Sequence, residues 1–177
     1  MRAYVPVFDQ DIEAVIDRAG VAPGPAYIRL GRGEPPKGYE VPSYAPWRKL
    51  VAGDGPVLVA VGPLGGAYID AARAMPPSAR PNLWAVAELP LELNPLPSEL
   101  AAQIARSGEL HVAEEHVQRG SFGAELALAL VQQGRAPQRF VHHHARSHRY
   151  ERYGSQGYLR VQSGLDAASV LAALGGH

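Results

Sequence analysis

The sequence predicts an α/β fold, an open three-layer and mostly parallel sheet with helices on both faces. Three observations predict it. From residue 56 onward short apolar runs alternate with helical patterns, in the order strand, helix, strand, helix, strand, helix, strand, helix. That order makes neighbouring strands parallel and joins them by right-handed crossovers. The first of these runs, Val57, Leu58, Val59 and Val61, is nearly continuous rather than alternating, as suits a strand covered on both faces. The length of 177 residues allows one full domain of this kind with a sizeable core, and leaves room for a piece of a second.

The chain opens with Ile12, Val15, Ile16 and Ala19 at the i, i+3, i+4, i+7 spacing of one helix face, with Asp9 or Asp11 as N-cap and Gly20 at the end. A β-prone run over residues 25–30, bounded by Gly24 and Gly31, reads as a strand leaving that helix. A helix and one strand cannot close a core by themselves. Residues 31–55 carry Pro35, Pro36, Pro42 and Pro46 among several glycines, a composition that opposes both a helix and an inner strand. They read as a linker, pinned to the next domain by Trp47 and Leu50, because a bare Trp would expose a large apolar surface.

Beyond it, residues 56–62 read as a strand, 65–75 as a helix and 83–89 as a strand. Residues 98–106 read as a helix capped by Ser98, and 110–117 as a third strand. Phe122, Leu126 and Leu130 share one face of a helix over 121–133 that Gly134 ends. A fourth strand follows over 139–143. The last helix starts at Asp166, with Leu165 and Val170 placed as a hydrophobic staple, and runs to Leu174. No internal repeat is visible.

Composition excludes several function classes. Lys plus Arg (17) balances Asp plus Glu (17), so there is no basic footprint for nucleic acid. Without cysteine there are no disulfides, thiolate metal sites or thiol nucleophiles. The apolar runs fall far short of a membrane span, and the N-terminus lacks the apolar core of a signal peptide. The expectation is a cytoplasmic protein that binds neither membrane nor nucleic acid.

Two stretches in this order carry a resemblance. Tyr27-Ile28-Arg29-Leu30-Gly31-Arg32-Gly33 is similar to the last strand of the pyrimidine-binding domain of transketolases and of 1-deoxyxylulose-5-phosphate synthases. Val112-Ala113-Glu114-Glu115-His116, followed by Arg119-Gly120-Ser121-Phe122-Gly123, resembles the family's C-terminal-domain strand and its glycine-rich turn into a helix. The segment 53–62, Tyr153-Gly154-Ser155-Gln156 and Gly164-Leu165-Asp166 match in the same order.

The resemblance implies that residues 1–33 are a remnant of the pyrimidine-binding domain, 34–54 a linker and 55–177 a transketolase C-terminal domain. It implies a C-terminal subunit or fragment of a thiamine-diphosphate-dependent enzyme that moves a two-carbon ketol unit between sugar phosphates. Such a chain is not catalytic alone. The Gly-Asp-Gly metal and diphosphate motif, the glutamate that activates the pyrimidine and the substrate-facing histidines have no counterpart here. Thiamine diphosphate and Mg²⁺ would then belong to the assembled enzyme, with partner chains bearing the diphosphate-binding and pyrimidine-binding domains. The C-terminal part of a deoxyxylulose-phosphate synthase or of a 2-oxo-acid dehydrogenase remains open, as does a stand-alone small-anion-binding or dimerisation module.

The resemblance also marks Arg32 as a ligand for the phosphate of a sugar phosphate, a task that suits the fixed charge and fork of a guanidinium. Arg29, on the other face of the strand, reads as structural. Gly120, Ser121 and Gly123 sit where a strand turns into a helix, so free N–H groups there make a candidate anion site, with close packing of helix on sheet as the alternative. Glu114 and Glu115 are adjacent on a strand and point to opposite faces, which excludes a paired acid and base. They read as interface or core hydrogen-bonding groups. His142 and His144 share a strand face and His148 follows, yet no familiar metal-ligand spacing completes the set, so no metal site is expected. Residues 146–152 are locally basic and suit either phosphate or an acidic partner surface.

Overall fold

A computed structural model describes residues 1–146 and 153–175. The chain runs β1 (Arg2–Tyr4), a 3-10 turn (Asp9–Asp11), α1 (Ile12–Val21), β2 (Ala26–Ile28), β3 (Trp47–Val51), β4 (Val57–Val61), α2 (Leu64–Ala74), β5 (Asn82–Val86) and β6 (Glu88–Leu89). It continues through α3 (Ser98–Ser107), β7 (Glu109–Val117), α4 (Phe122–Gln132), β8 (Arg139–Ala145), α5 (Gln156–Ser163) and α6 (Ala167–Ala172). Five strands form one sheet in the order β3-β5-β4-β7-β8, parallel except for β3, which runs antiparallel to β5. A smaller sheet has the order β2-β1-β6. The architecture is the expected α/β fold.

The apolar run of β4 is buried along its whole length because it lies at the centre with a layer on each side. Leu58 and Ala60 pack with Leu64, Tyr68 and Ile69 of α2 and with Val170 and Leu171 of α6. Val57, Val59 and Val61 pack on the other face with Leu100 and Ile104 of α3 and with Phe122, Leu126 and Leu130 of α4. Each such side chain contributes about 1.5–3 kcal/mol by leaving water, and this double coverage is the main support of the fold.

The amino-terminal elements are held differently. Asp11 is buried and accepts from the backbone N–H groups of Val7 (3.0 Å) and Phe8 (2.9 Å). Both terminal guanidinium nitrogens of Arg48 on β3, Nη1 and Nη2, donate to it, Nη1 at 2.9 Å, and the guanidinium lies against the rings of Phe8 and Tyr44. A second link runs from Arg18 on α1 to the buried Glu88 on β6 at 2.6 Å, with the Tyr44 hydroxyl donating to the same carboxylate at 3.0 Å.

Several local expectations need correction. Residues 83–89 do not form one strand: β5 ends at Val86 and β6 joins the small sheet beside β1, because the chain crosses between sheets at Ala87. The proline-rich segment closes in the edge strand β3, where only one side needs hydrogen bonds and the prolines precede the paired residues. Trp47 and Leu50 are buried there, and the Trp47 indole donates to the Asn94 carbonyl at 3.0 Å. Ser98 is the first residue of α3 rather than its cap, a place taken by Pro97. On α1 only Val15 is fully buried and Ile16 faces outward, since the small sheet covers a narrow stripe. Helix α5 was not foreseen. Asp166 does cap α6, accepting from Ser169 N–H at 3.0 Å, although that helix ends at Ala172.

Candidate functional site

Strand order places the site. β4 has β5 on one side and β7 on the other, so the chain reverses its direction of winding between β4 and β7. In open α/β sheets the carboxyl ends of such a pair leave a crevice between the outgoing loops. β4 ends in Gly62, whose φ of +59° turns the chain sharply into Pro63 and α2. β7 carries Glu114 and Glu115 toward the same end.

The two glutamates take opposite faces, as their adjacency on a strand requires. Glu114 is buried toward α4. Its carboxylate accepts from the N–H groups of Phe122 (3.2 Å) and Gly123 (2.7 Å) and pairs with His142 Nε2 at 2.7 Å. Burial pushes this carboxyl up, but the His142 and Gly123 hydrogen bonds outweigh it and hold the pKa below the ordinary carboxylate value. In the turn over residues 120–123, the Phe122 and Gly123 N–H groups are thus taken by the protein's own carboxylate. Ser121 caps α4, its hydroxyl accepting from Ala124 N–H at 3.5 Å.

Glu115 faces the crevice and gathers three donors: Arg29 Nη2 at 3.1 Å, Gln156 Nε2 at 3.1 Å and Arg160 Nε at 2.8 Å. Arg29 is thus an ion-pair partner that ties the strand β2 region to β7 and α5. The hydroxyl of Tyr68 donates to Leu165 O at 2.7 Å beneath this cluster.

Arg32 stands at the rim of the same crevice. Its side chain is 82% exposed and its Nε lies 3.3 Å from Glu34 Oε1. The loop that carries it is fixed from both directions, because Asp9 Oδ1 accepts from Gly33 N–H and Asp9 N–H donates to Gly33 O, each at 2.8 Å. Gly33 presses so closely on the Val7 carbonyl that any Cβ would collide with it. An open cleft of about 350 Å³ runs between Arg32, Gly33, Glu34, Pro63, Ala67, Gln156 and Arg160. A second of about 350 Å³ continues past Arg29, Glu115 and Leu159. Gln156 and Arg160 border both.

The histidines divide between the faces of the sheet. His142 and His144 share a face, with rings 4.9 Å apart, but His142 is committed to Glu114 and His144 Nδ1 lies 3.0 Å from Ala145 O. On the other face His111 bridges Glu109 (2.6 Å) and His143 (2.9 Å), the two imidazoles stacked. Burial holds His111 below its ordinary pKa against the pull of Glu109. Burial, then neighbouring His111, His142 and Arg139, pushes His143 down to about 4. His148 and most of the basic stretch over 146–152 lie outside the described residues.

Among the described residues no group of three or more carboxylates and histidines is placed to hold a metal ion. With the Phe122 and Gly123 N–H groups already taken by Glu114, these residues do not fit the diphosphate and metal of thiamine diphosphate. No described helix is long and apolar enough to cross a membrane. The sequence left Gln156, Arg160, Glu109 and His111 unmarked. The matched Gly154-Ser155-Gln156 stretch was a signal for the first of these, since it delivers Gln156 and α5 to the crevice.

No protein-family model matches the sequence. The 1-deoxy-D-xylulose-5-phosphate synthase of Myxococcus xanthus is 30% identical over 182 residues, which covers 94% of this chain and 28% of that protein. Among solved structures, a split-gene transketolase described as an inactive β4 tetramer superposes with a TM-score of 0.77 at 27% identity. It matches 98% of this chain, which spans 56% of that one. The transketolases of Campylobacter jejuni (TM-score 0.65, 12% identity, 96% of this chain and 25% of that one) and Leishmania mexicana (0.62, 16%, 97% and 24%) share the fold. The chain spans about a quarter to a half of the length of these relatives. Fold and sequence together fit a C-terminal portion of a transketolase-type enzyme.

Proposed function

We propose that the chain is the C-terminal part of a transketolase-type, thiamine-diphosphate-dependent enzyme that transfers a two-carbon ketol unit between sugar phosphates. In this reading residues 1–33 complete a pyrimidine-binding domain, 34–54 connect it, and 55–177 form the C-terminal domain. Cofactor and Mg²⁺ are held by a partner chain or chains in the cytoplasm. The observation that carries the reading is coverage: nearly the whole chain matches a split-gene transketolase, an inactive β4 tetramer, at 27% identity.

Arg32 contributes directly to substrate binding in this reading. Its guanidinium is exposed at the rim of an open cleft, on a loop held from both directions by Asp9, and a fixed cation in that setting suits a phosphate. Copurification tests the assembly. The native chain should bring down a companion bearing a Gly-Asp-Gly motif, and ketol transfer should need both. Turnover of ketose phosphate by this chain alone, given thiamine diphosphate and magnesium, would sink the proposal. In the reconstituted enzyme, Arg32→Ala should raise KM for a phosphorylated substrate about tenfold or more, the worth of one charged hydrogen bond, while kcat changes little.

The relative in Myxococcus xanthus favours a second reading, the corresponding part of a 1-deoxyxylulose-5-phosphate synthase. Product analysis of the reconstituted enzyme separates the two: 1-deoxyxylulose 5-phosphate in one case, an exchanged pair of sugar phosphates in the other.

A further inference from the structure

The crevice contains a cationic donor that the fold leaves unused. Arg160 gives Nε to Glu115, but its Nη2 is shielded from solvent and, among the described residues, has no hydrogen-bond partner. A buried N–H of a charged group without an acceptor is unfavourable and rare, so it points to a partner that arrives from outside. The side chain that carries it borders both halves of the cleft, and Gln156, one turn earlier on α5, borders them too. Across the opening stands Arg32.

We propose that this crevice binds a phosphate monoester between Arg32 on the 31–34 loop and Gln156 and Arg160 on α5. The inference rests on the reading of Arg32 as a phosphate ligand and extends it to two residues of the C-terminal domain. Three arginines (Arg29, Arg32, Arg160) meet two carboxylates (Glu34, Glu115) around the cleft, so the described residues leave one positive charge to be matched. A phosphate fits that surplus better than a carboxylate. It presents three terminal oxygens in a tetrahedral array, and the donors come from two separate elements on either side of the cleft. An opening of about 350 Å³ admits a small phosphorylated molecule.

Reaching the ligand requires the Arg160 guanidinium to turn toward the cleft. Glu115 is not stranded when it does, because Arg29 remains bonded to it at 3.1 Å. The site therefore exchanges one acceptor for another rather than exposing a bare carboxylate. Arg160 and Gln156 also lie on the C-terminal domain while Arg32 precedes the proline-rich segment, so a bound phosphate would tie the two parts together.

The test uses the 177-residue chain alone, titrated at constant ionic strength with inorganic phosphate and with ribose 5-phosphate while backbone amide shifts are followed by NMR. Saturable shifts in the millimolar range or tighter are expected at Arg32, Gly33, Ala67, Gln156 and Arg160. Arg160→Ala and Arg32→Ala should each weaken binding about tenfold or more. Arg160→Lys should recover part of the loss, and Arg135→Ala, away from the cleft, should change nothing. Because Arg160→Ala also removes a charged partner of Glu115, Gln156→Ala, which removes only a neutral one, serves as a second, milder variant and must weaken binding as well.

Binding that survives both α5 variants but is lost in Arg32→Ala would overturn the inference and leave the role of Arg32 standing. Absence of saturable binding up to tens of millimolar would overturn it too. The assignment to a multi-chain enzyme is judged by reconstitution and is untouched by either result.

Discussion

The five-stranded sheet and the three-stranded one are built on different principles. β4, β5 and β7 are covered on both faces by apolar side chains, and their order follows from burial alone. β1, β2 and β6 are two or three residues long, and Tyr27 on β2 is half exposed. Their flanking residues Val5, Val7 and Phe8 reach into the two cores, and polar contacts add to that: Asp11 to Arg48, and Glu88 to Arg18 and to the Tyr44 hydroxyl. A buried ion pair costs desolvation that its own attraction barely offsets, so it contributes geometry more than net stability. The difference teaches that the larger sheet carries its own core, whereas the smaller is docked on that core by Val5, Val7 and Phe8 and oriented by polar contacts.

The largest effect should come from unfastening the docked part. Asp11→Ala leaves Arg48 buried without its counter-ion and frees the N–H groups of Val7 and Phe8, at a cost of about 3–5 kcal/mol. Hydrogen exchange should then show β1 and β2 opening while β4, β5 and β7 stay protected. Simultaneous loss of protection everywhere would erase the distinction between the two sheets.

Leu58→Ala attacks the other principle. It removes a fully buried side chain at the centre of the large sheet, for about 2–5 kcal/mol. Both sheets should unfold in one denaturant transition, since the small sheet has no support once its platform is gone. A surviving folded β1-β2 unit would contradict this.

The smallest effect concerns pH and should mark the β7–β8 edge. His143 is held near 4 in the folded chain, against an ordinary value of 6.5, by burial and by the charges of His111, His142, Arg139 and His144. Below about pH 6.5 the unfolded chain takes up a proton that the folded chain refuses, so stability falls as pH drops from 6.5 toward 4. His111, also held low by burial, acts in the same direction. The denaturant midpoint should decline over that window, and His143→Gln should flatten the decline. An unchanged slope in that variant would show that the proton goes elsewhere.

Legibility in the sequence follows the same division. β4, α2, α4 and the cap of α6 were readable because their signals are local: an apolar run, a helical period, Gly134, Asp166 before Val170. β3 was not, because an edge strand that follows prolines has no pattern of its own and is defined by pairing with β5. The split of residues 83–89 between two sheets was equally invisible, since one continuous β-prone run serves both. At the site, the opposed directions of Glu114 and Glu115 followed from strand geometry alone. The partners did not. Glu115 meets Arg29, Gln156 and Arg160 across separations of 86, 41 and 45 residues, and no spacing in the sequence encodes such meetings. The glycine-rich turn was visible as an anion receptor, but that Glu114 would fill it depended on the placement of β7 against α4.

The crossing at Ala87 has a consequence for anyone who would graft this domain onto another protein. β6 lies at the middle of the sequence, after the proline-rich segment, and pairs with β1 from the earliest part, so the small sheet is sewn from both sides of that segment. A chimera joined within residues 34–47 would separate Asp11 from Arg48 and β1 from β6, and would pit one parent's strand against the other's. A workable exchange has to carry the first 33 residues along with everything after them.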